Sequence, residues 1–115
     1  MTERDDLVFI EHILESVEAI KKFSENLDEE ELHSNRLKQS AIVREIEIIG
    51  EASKNISKEF KEKYNEICWK DIVGTRDIMI HQYFGVNLKI VWDIITKDIP
   101  ILKTQILKIK KDLEK

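Results

Sequence analysis

Glycine and proline are scarce in this chain, with three Gly (Gly50, Gly74, Gly85) and one Pro (Pro100) in 115 residues. Average usage would put roughly 12% of a chain in these two types. A sandwich or barrel needs many tight turns built on such residues, so both are excluded and an all-α chain is the leading reading. Cysteine is represented by Cys68 alone, which rules out an intramolecular disulfide and a cysteine metal cluster. Between Ile67 and Trp69 it reads as a small packed hydrophobe. No apolar run approaches the ~18 residues of a membrane span. The first residues, Met1 to Asp6, are acidic where a signal peptide would be basic, so a cytoplasmic location with no membrane partner is expected.

An excess of positive charge is also missing. The net charge is −4, which excludes binding nucleic acid by bulk charge. The distribution is uneven. Residues 1–33 carry 3 Lys and Arg against 11 Asp and Glu, residues 34–96 carry 10 against 9, and residues 97–115 carry 6 against 3. Any contact with RNA or DNA must be made at a local site.

What the chain has in quantity is Ile (19), Lys (15) and Glu (15), a mixture suited to amphipathic helices with salt-laced outer faces. Thr2-Glu3-Arg4-Asp5 reads as a capped start, and Leu7, Ile10, Ile13, Val17 and Ile20 carry a first helix to about Ser24. The acidic stretch Asn26 to His33 is expected to be a solvated connection or a single extra turn. A second helix starts near Ser34 and is marked by Leu37, Ile42, Ile46, Ile49, Ile56 and Phe60. Gly50 interrupts it at a cost of roughly 1 kcal/mol relative to Ala. Residues 61–70 lose the period, and Tyr64, Ile67 and Trp69 are expected to plug a core edge.

Asp71 to Gly74 looks like a short turn, and Thr75 is placed to cap a helix from Arg76 to about Tyr83, closed by Gly85. Asn87 caps the next helix, with Val86 and Val91 as a hydrophobic staple. From Leu88 to Leu113 the apolar spacing holds straight through Pro100, which reads as two helices or one kinked helix with Asp98 capping the second part. The expected architecture is an antiparallel bundle of four to five helices in a single domain over residues 1–115.

Most polar residues have bland explanations. His12 and His33 have no partner at metal-ligand spacing and read as surface residues, Trp69 and Trp92 sit at core spacing, and Arg44, Glu47 and Glu51 suggest an internal ion pair or a dimer contact. The segment from Gly74 to Gly85 is different, because it concentrates Arg76, His81 and Tyr83 beside apolar residues. On a regular helix Tyr83 shares a stripe with Arg76, whereas His81 points roughly 140° away. Either the helix end unwinds near Gly85, or a second copy across a two-fold axis completes the site. From spacing alone, Arg76 and His81 could equally form an interface salt bridge or a helix-end interaction, and Tyr83 could be a half-buried aromatic.

The pattern Arg76, four residues, His81, one residue, Tyr83 resembles the signature of HEPN-domain proteins, specifically the HepT-like toxins. The runs Arg44-Glu45-Ile46-Glu47-Ile48-Ile49-Gly50-Glu51-Ala52 and Tyr83-Phe84-Gly85-Val86-Asn87 through Val91-Trp92-Asp93-Ile94 are similar to other recurring segments of that family. The resemblance implies a HEPN-like fold and a metal-independent endoribonuclease without cofactor. It further implies the toxin half of a type VII-like toxin–antitoxin pair, acting on RNA. The implied partner is a minimal nucleotidyltransferase, MntA-like, that neutralises the toxin by AMPylation of Tyr83. Arg76 and His81 are the catalytic residues it implies. Asp77 stands where many relatives have Asn; it and Glu51 are supporting candidates. A homodimer with the site at its interface is expected. The alternative is a non-catalytic helical module that binds a nucleotidyltransferase or its substrate.

Overall fold

A computed structural model of the chain describes residues 3–74 and 87–114. All regular structure in those residues is helical: α1 (Glu3–Phe23), α2 (Glu29–Ser34), α3 (Arg36–Asn55), α4 (Lys58–Lys63), α5 (69–74), α6 (Leu88–Asp93), a π-helical turn (Ile94–Asp98) and α7 (Ile99–Leu113). The all-α expectation holds. Thr2, Thr75 and Val86 lie outside the described residues.

The apolar stripe of α1 is the centre of the molecule. Ile10, Ile13, Val17 and Ile20 are fully buried, at the three- and four-residue spacing that puts them on one helix face. α1 packs chiefly on α3, which contributes Ile42, Ile46 and Ile49, and on α7, which contributes Leu102, Ile106 and Ile109. Lys21 and Lys22 in the last turn of α1 complement its dipole. The chain then turns through Asn26, at a φ of 60° that Asn tolerates better than most residues. Asp28 restarts the helix by accepting from the Glu31 backbone N–H at 2.7 Å, with Glu29, Glu30 and Glu31 at the favourable end of the α2 dipole. The acidic stretch is therefore a short capped helix, held by a fully buried Leu32. Gln39 closes the corner to α3 by donating to the carbonyls of Leu32 (2.8 Å) and His33 (3.1 Å).

The second predicted helix is two helices. α3 stops at Asn55, Ile56 is extended, and Ser57 caps α4. The cause is a long-range contact. Asp6, buried on α1, accepts from the Ser57 backbone N–H at 2.8 Å and from its hydroxyl at 2.6 Å, which fixes Ser57 outside the helix. This pairing of the start of α1 with the end of α3 also makes the two helices antiparallel. Nearby, partial burial lowers the Lys61 pKa from the usual lysine value, and the Asp6 charge opposes that shift.

Tyr64, Ile67 and Trp69 do seal the core edge. All three are buried; the Tyr64 hydroxyl donates to Asp112 at 2.7 Å and the Trp69 indole N–H donates to the Tyr64 carbonyl at 3.1 Å. Two expectations fail here. Cys68 is exposed and not a packed hydrophobe, because Ile67 and Trp69 take the inward positions. Asp71 to Gly74 is helical and not a turn, since the Asp71 and Ile72 N–H groups both donate to the Cys68 carbonyl.

The last helical stretch passes Pro100 by widening. Asp98 has helical dihedrals and makes no side-chain cap, so its predicted capping role is overturned. The π turn, closed by the Ile99 N–H on the Ile94 carbonyl, makes room for a proline ring that would collide with the carbonyl four residues back in a regular α-helix. α6 packs on α2, and α7 on α1.

Among the described residues, one buried side-chain polar group lacks a hydrogen-bond partner. The Ser53 hydroxyl on α3 is fully buried with no hydrogen-bond partner. Removing an unsatisfied buried hydroxyl recovers part of a penalty of about 1–3 kcal/mol. Ser53→Ala is therefore expected to raise the thermal midpoint by a few degrees; an unchanged or lower midpoint in a melting experiment counts against this.

Candidate functional site

The twelve residues that carry the sequence motif are flanked by two described features. On one side α5 runs to Gly74, where an added Cβ would meet no atom within 4 Å. On the other, the Asn87 side chain accepts from the Lys89 and Ile90 N–H groups at 3.1 and 3.3 Å, capping α6 as the sequence suggests. Arg76, Asp77, His81 and Tyr83 lie outside the described residues.

Glu51, the remaining candidate, is exposed on α3 and lines a pocket of about 360 Å³ between α1 and α3. Phe9 and His12 form the α1 wall, and Arg44, Glu47, Glu51 and Asn55 belong to the α3 wall. The α3 residues are spaced three, four and four apart, which places them on one stripe. Arg44 pairs with Glu47, one turn away, at 3.9 Å, with side-chain exposures of 71% and 29%. The expected internal ion pair is thus a surface contact, worth little to stability. Asn55 donates its amide to the Glu51 carbonyl at 2.9 Å.

His12 is exposed, as expected, but sequence reasoning missed its company. Its ring meets Phe9 edge-on, with centroids 6.2 Å apart and planes at 84°. The signal was available in the three-residue spacing of Phe9 and His12 on α1; what was invisible was that α3 lays its Arg44–Asn55 stripe alongside. Among the described residues, no group of three or more His, Cys, Asp or Glu is placed to hold a metal ion.

A second pocket, of about 330 Å³, opens between α3, the segment 67–72 and the π turn with α7. Its floor includes Ile46, Ile49, Ile67 and Ile99, with Asp71, Asp98 and Gln105 also in the lining. It is a largely apolar surface with little chemistry of its own. No helix among the described residues is long and apolar enough to cross a membrane.

Comparison with known proteins places this helical chain among nucleases. The family model described as "Ribonuclease HepT-like" matches residues 13–109. The chain is 46% identical over 112 residues to "Gamma-glutamylcyclotransferase and putative RNase" of Methanocaldococcus jannaschii, covering 97% of this chain and 50% of that protein. It thus spans only half the length of that relative. It is 40% identical over 106 residues to a "Putative RNase" of the same organism, covering 92% of this chain and 97% of that one. It is also 40% identical over 103 residues to "Probable ribonuclease HepT" of Thermococcus cleftensis, covering 90% and 94%. No solved structure matches.

Proposed function

Because the chain belongs to the HepT-like ribonuclease family, we propose that it is a metal-independent endoribonuclease and the toxin of a toxin–antitoxin pair, acting as a homodimer through Arg76 and His81. The observation that carries this reading is the run Arg76, four residues, His81, one residue, Tyr83, inside the stretch the family model matches.

The chemistry asks for these residue types. In RNA, the ribose 2′-OH attacks its own 3′-phosphate. A P–O bond forms to the 2′ oxygen and the bond to the 5′ oxygen breaks, giving a 2′,3′-cyclic phosphate and a free 5′-OH. One group must take the 2′-OH proton and one must give a proton to the leaving oxygen. An imidazole can do either near neutral pH, and two copies of the chain supply two. The phosphorane between these steps gathers negative charge, which the planar and permanently protonated Arg76 guanidinium suits. No basic surface is needed around it, in keeping with a net charge of −4.

Tyr83 is the proposed switch. A partner nucleotidyltransferase would move AMP from ATP onto its hydroxyl, forming a phosphodiester and releasing pyrophosphate. The added adenylate brings bulk and negative charge to the place where the RNA phosphate must sit, so inhibition follows without a conformational change. Co-expression with such a partner is expected to add adenylate mass to the wild-type chain and none to Tyr83→Phe. An unmodified wild-type mass would sink the switch and leave the nuclease chemistry standing.

A further inference from the structure

Among the described residues, the lining of the pocket between α1 and α3 sets the Arg44 guanidinium beside the Glu47 carboxylate. Its α3 wall is rich in acceptors. Glu47 accepts only, when ionised, and Asn55, with one amide N–H on the Glu51 carbonyl, offers its side-chain oxygen. Across the pocket, Phe9 and His12 line the α1 wall, their rings edge to face with each other. Arg44, exposed and held only by a 3.9 Å contact, has donors to spare.

A flat, neutral ligand with adjacent N–H donors on one edge and acceptors on another answers this arrangement. Single-stranded RNA bases are read in this way, by aromatic stacking and by hydrogen bonds to their edges. Among the four bases, guanine alone presents two neighbouring donor groups, N1–H and the 2-amino group, which one carboxylate can accept together, and its O6 and N7 suit an arginine. We propose that the α1/α3 pocket is a base subsite for guanine in single-stranded RNA, with Glu47 accepting from N1–H and the 2-amino group, Arg44 donating to the O6 side, and Phe9 and His12 flanking the ring. The proposal rests on the ribonuclease reading for its ligand class.

Binding separates the two. Short 2′-O-methyl oligoribonucleotides, which lack the attacking hydroxyl, are titrated against the full chain with a central guanosine, inosine or uridine in an otherwise all-uridine strand. Inosine lacks only the 2-amino group. Wild type is expected to favour guanosine over inosine by about tenfold, the worth of one good polar contact to a base edge, and Glu47→Gln to lose that preference. Glu59→Gln, an exposed residue of α4, is expected to retain it. No preference in wild type, an undiminished preference in Glu47→Gln, or its loss in Glu59→Gln would each overturn the subsite. If Glu47→Gln fails to fold in a melting experiment, Glu47→Ala is judged by the same criterion. Cleavage of unmodified RNA by wild type is scored separately: its absence removes the nuclease proposal, while a guanosine preference that depends on Glu47 stands on its own.

Discussion

RNA cleavage by the purified protein is expected to fall by a factor on the order of 10²–10⁴ when His81 is replaced by alanine, the range a general acid or base supplies. The effect should fall on the chemical step. His81→Ala should still bind RNA, and its melting temperature should stay close to wild type, because the proposed role is proton transfer. Two controls give it force. Cleavage should persist in the presence of a chelator, because the proposed mechanism uses no metal. Mixing His81→Ala with an Arg76→Ala chain should restore part of the activity if each composite site borrows from both copies, and should restore none if each copy works alone. Equal cleavage patterns from wild type and His81→Ala would refute the nuclease chemistry outright.

Ile106→Ala is expected to cost about 2–5 kcal/mol of stability. Ile106 on α7 is fully buried in the common core, together with Ile10, Ile13, Val17 and Ile42. Truncation removes its transfer free energy and leaves a cavity that antiparallel helices, tied at their ends by Asp6–Ser57 and Tyr64–Asp112, cannot readily close. For a chain of this length, 1 kcal/mol corresponds to about 4 °C, so the midpoint should drop by about 8–20 °C. Leu37, 79% exposed at the start of α3, is the matched control. Leu37→Ala should change stability by no more than about 0.5 kcal/mol. Thermal melts of the two variants side by side test the assignment of α7 to the core, and similar midpoints would contradict it.

The helical stripes were legible because burial follows a period that a single sequence displays. Ile10 through Ile20 and Ile99 through Ile109 could be read off directly. The break between α3 and α4 was not legible. Ile56 and Phe60 stay in register across it, so periodicity sees one helix. What ends α3 is Asp6, fifty-one residues away from Ser57 along the chain, and no local rule reports a long-range acceptor. Asp98 misled for the opposite reason. A helix-capping residue just before a proline is a sound local signal, but the chain solved the proline by widening its helix. Of the candidate site, only the motif was legible. The pocket beside Glu51 was hidden because its walls come from α1 and α3, which are close in space and separated in sequence.

The π turn at Ile94–Asp98 has a consequence for which changes of length this chain can absorb. It accommodates one residue beyond the α-helical count between α6, which faces α2, and α7, which faces α1. Deleting one residue between Ile94 and Asp98 would remove the widening, and the Pro100 ring would then meet the carbonyl four residues back. Because the extra residue is absorbed within a single turn, a shortened chain that also carries Pro100→Ala would keep Val91 and Ile106, both fully buried, on their present faces. The widened turn and the proline are therefore gained or lost together.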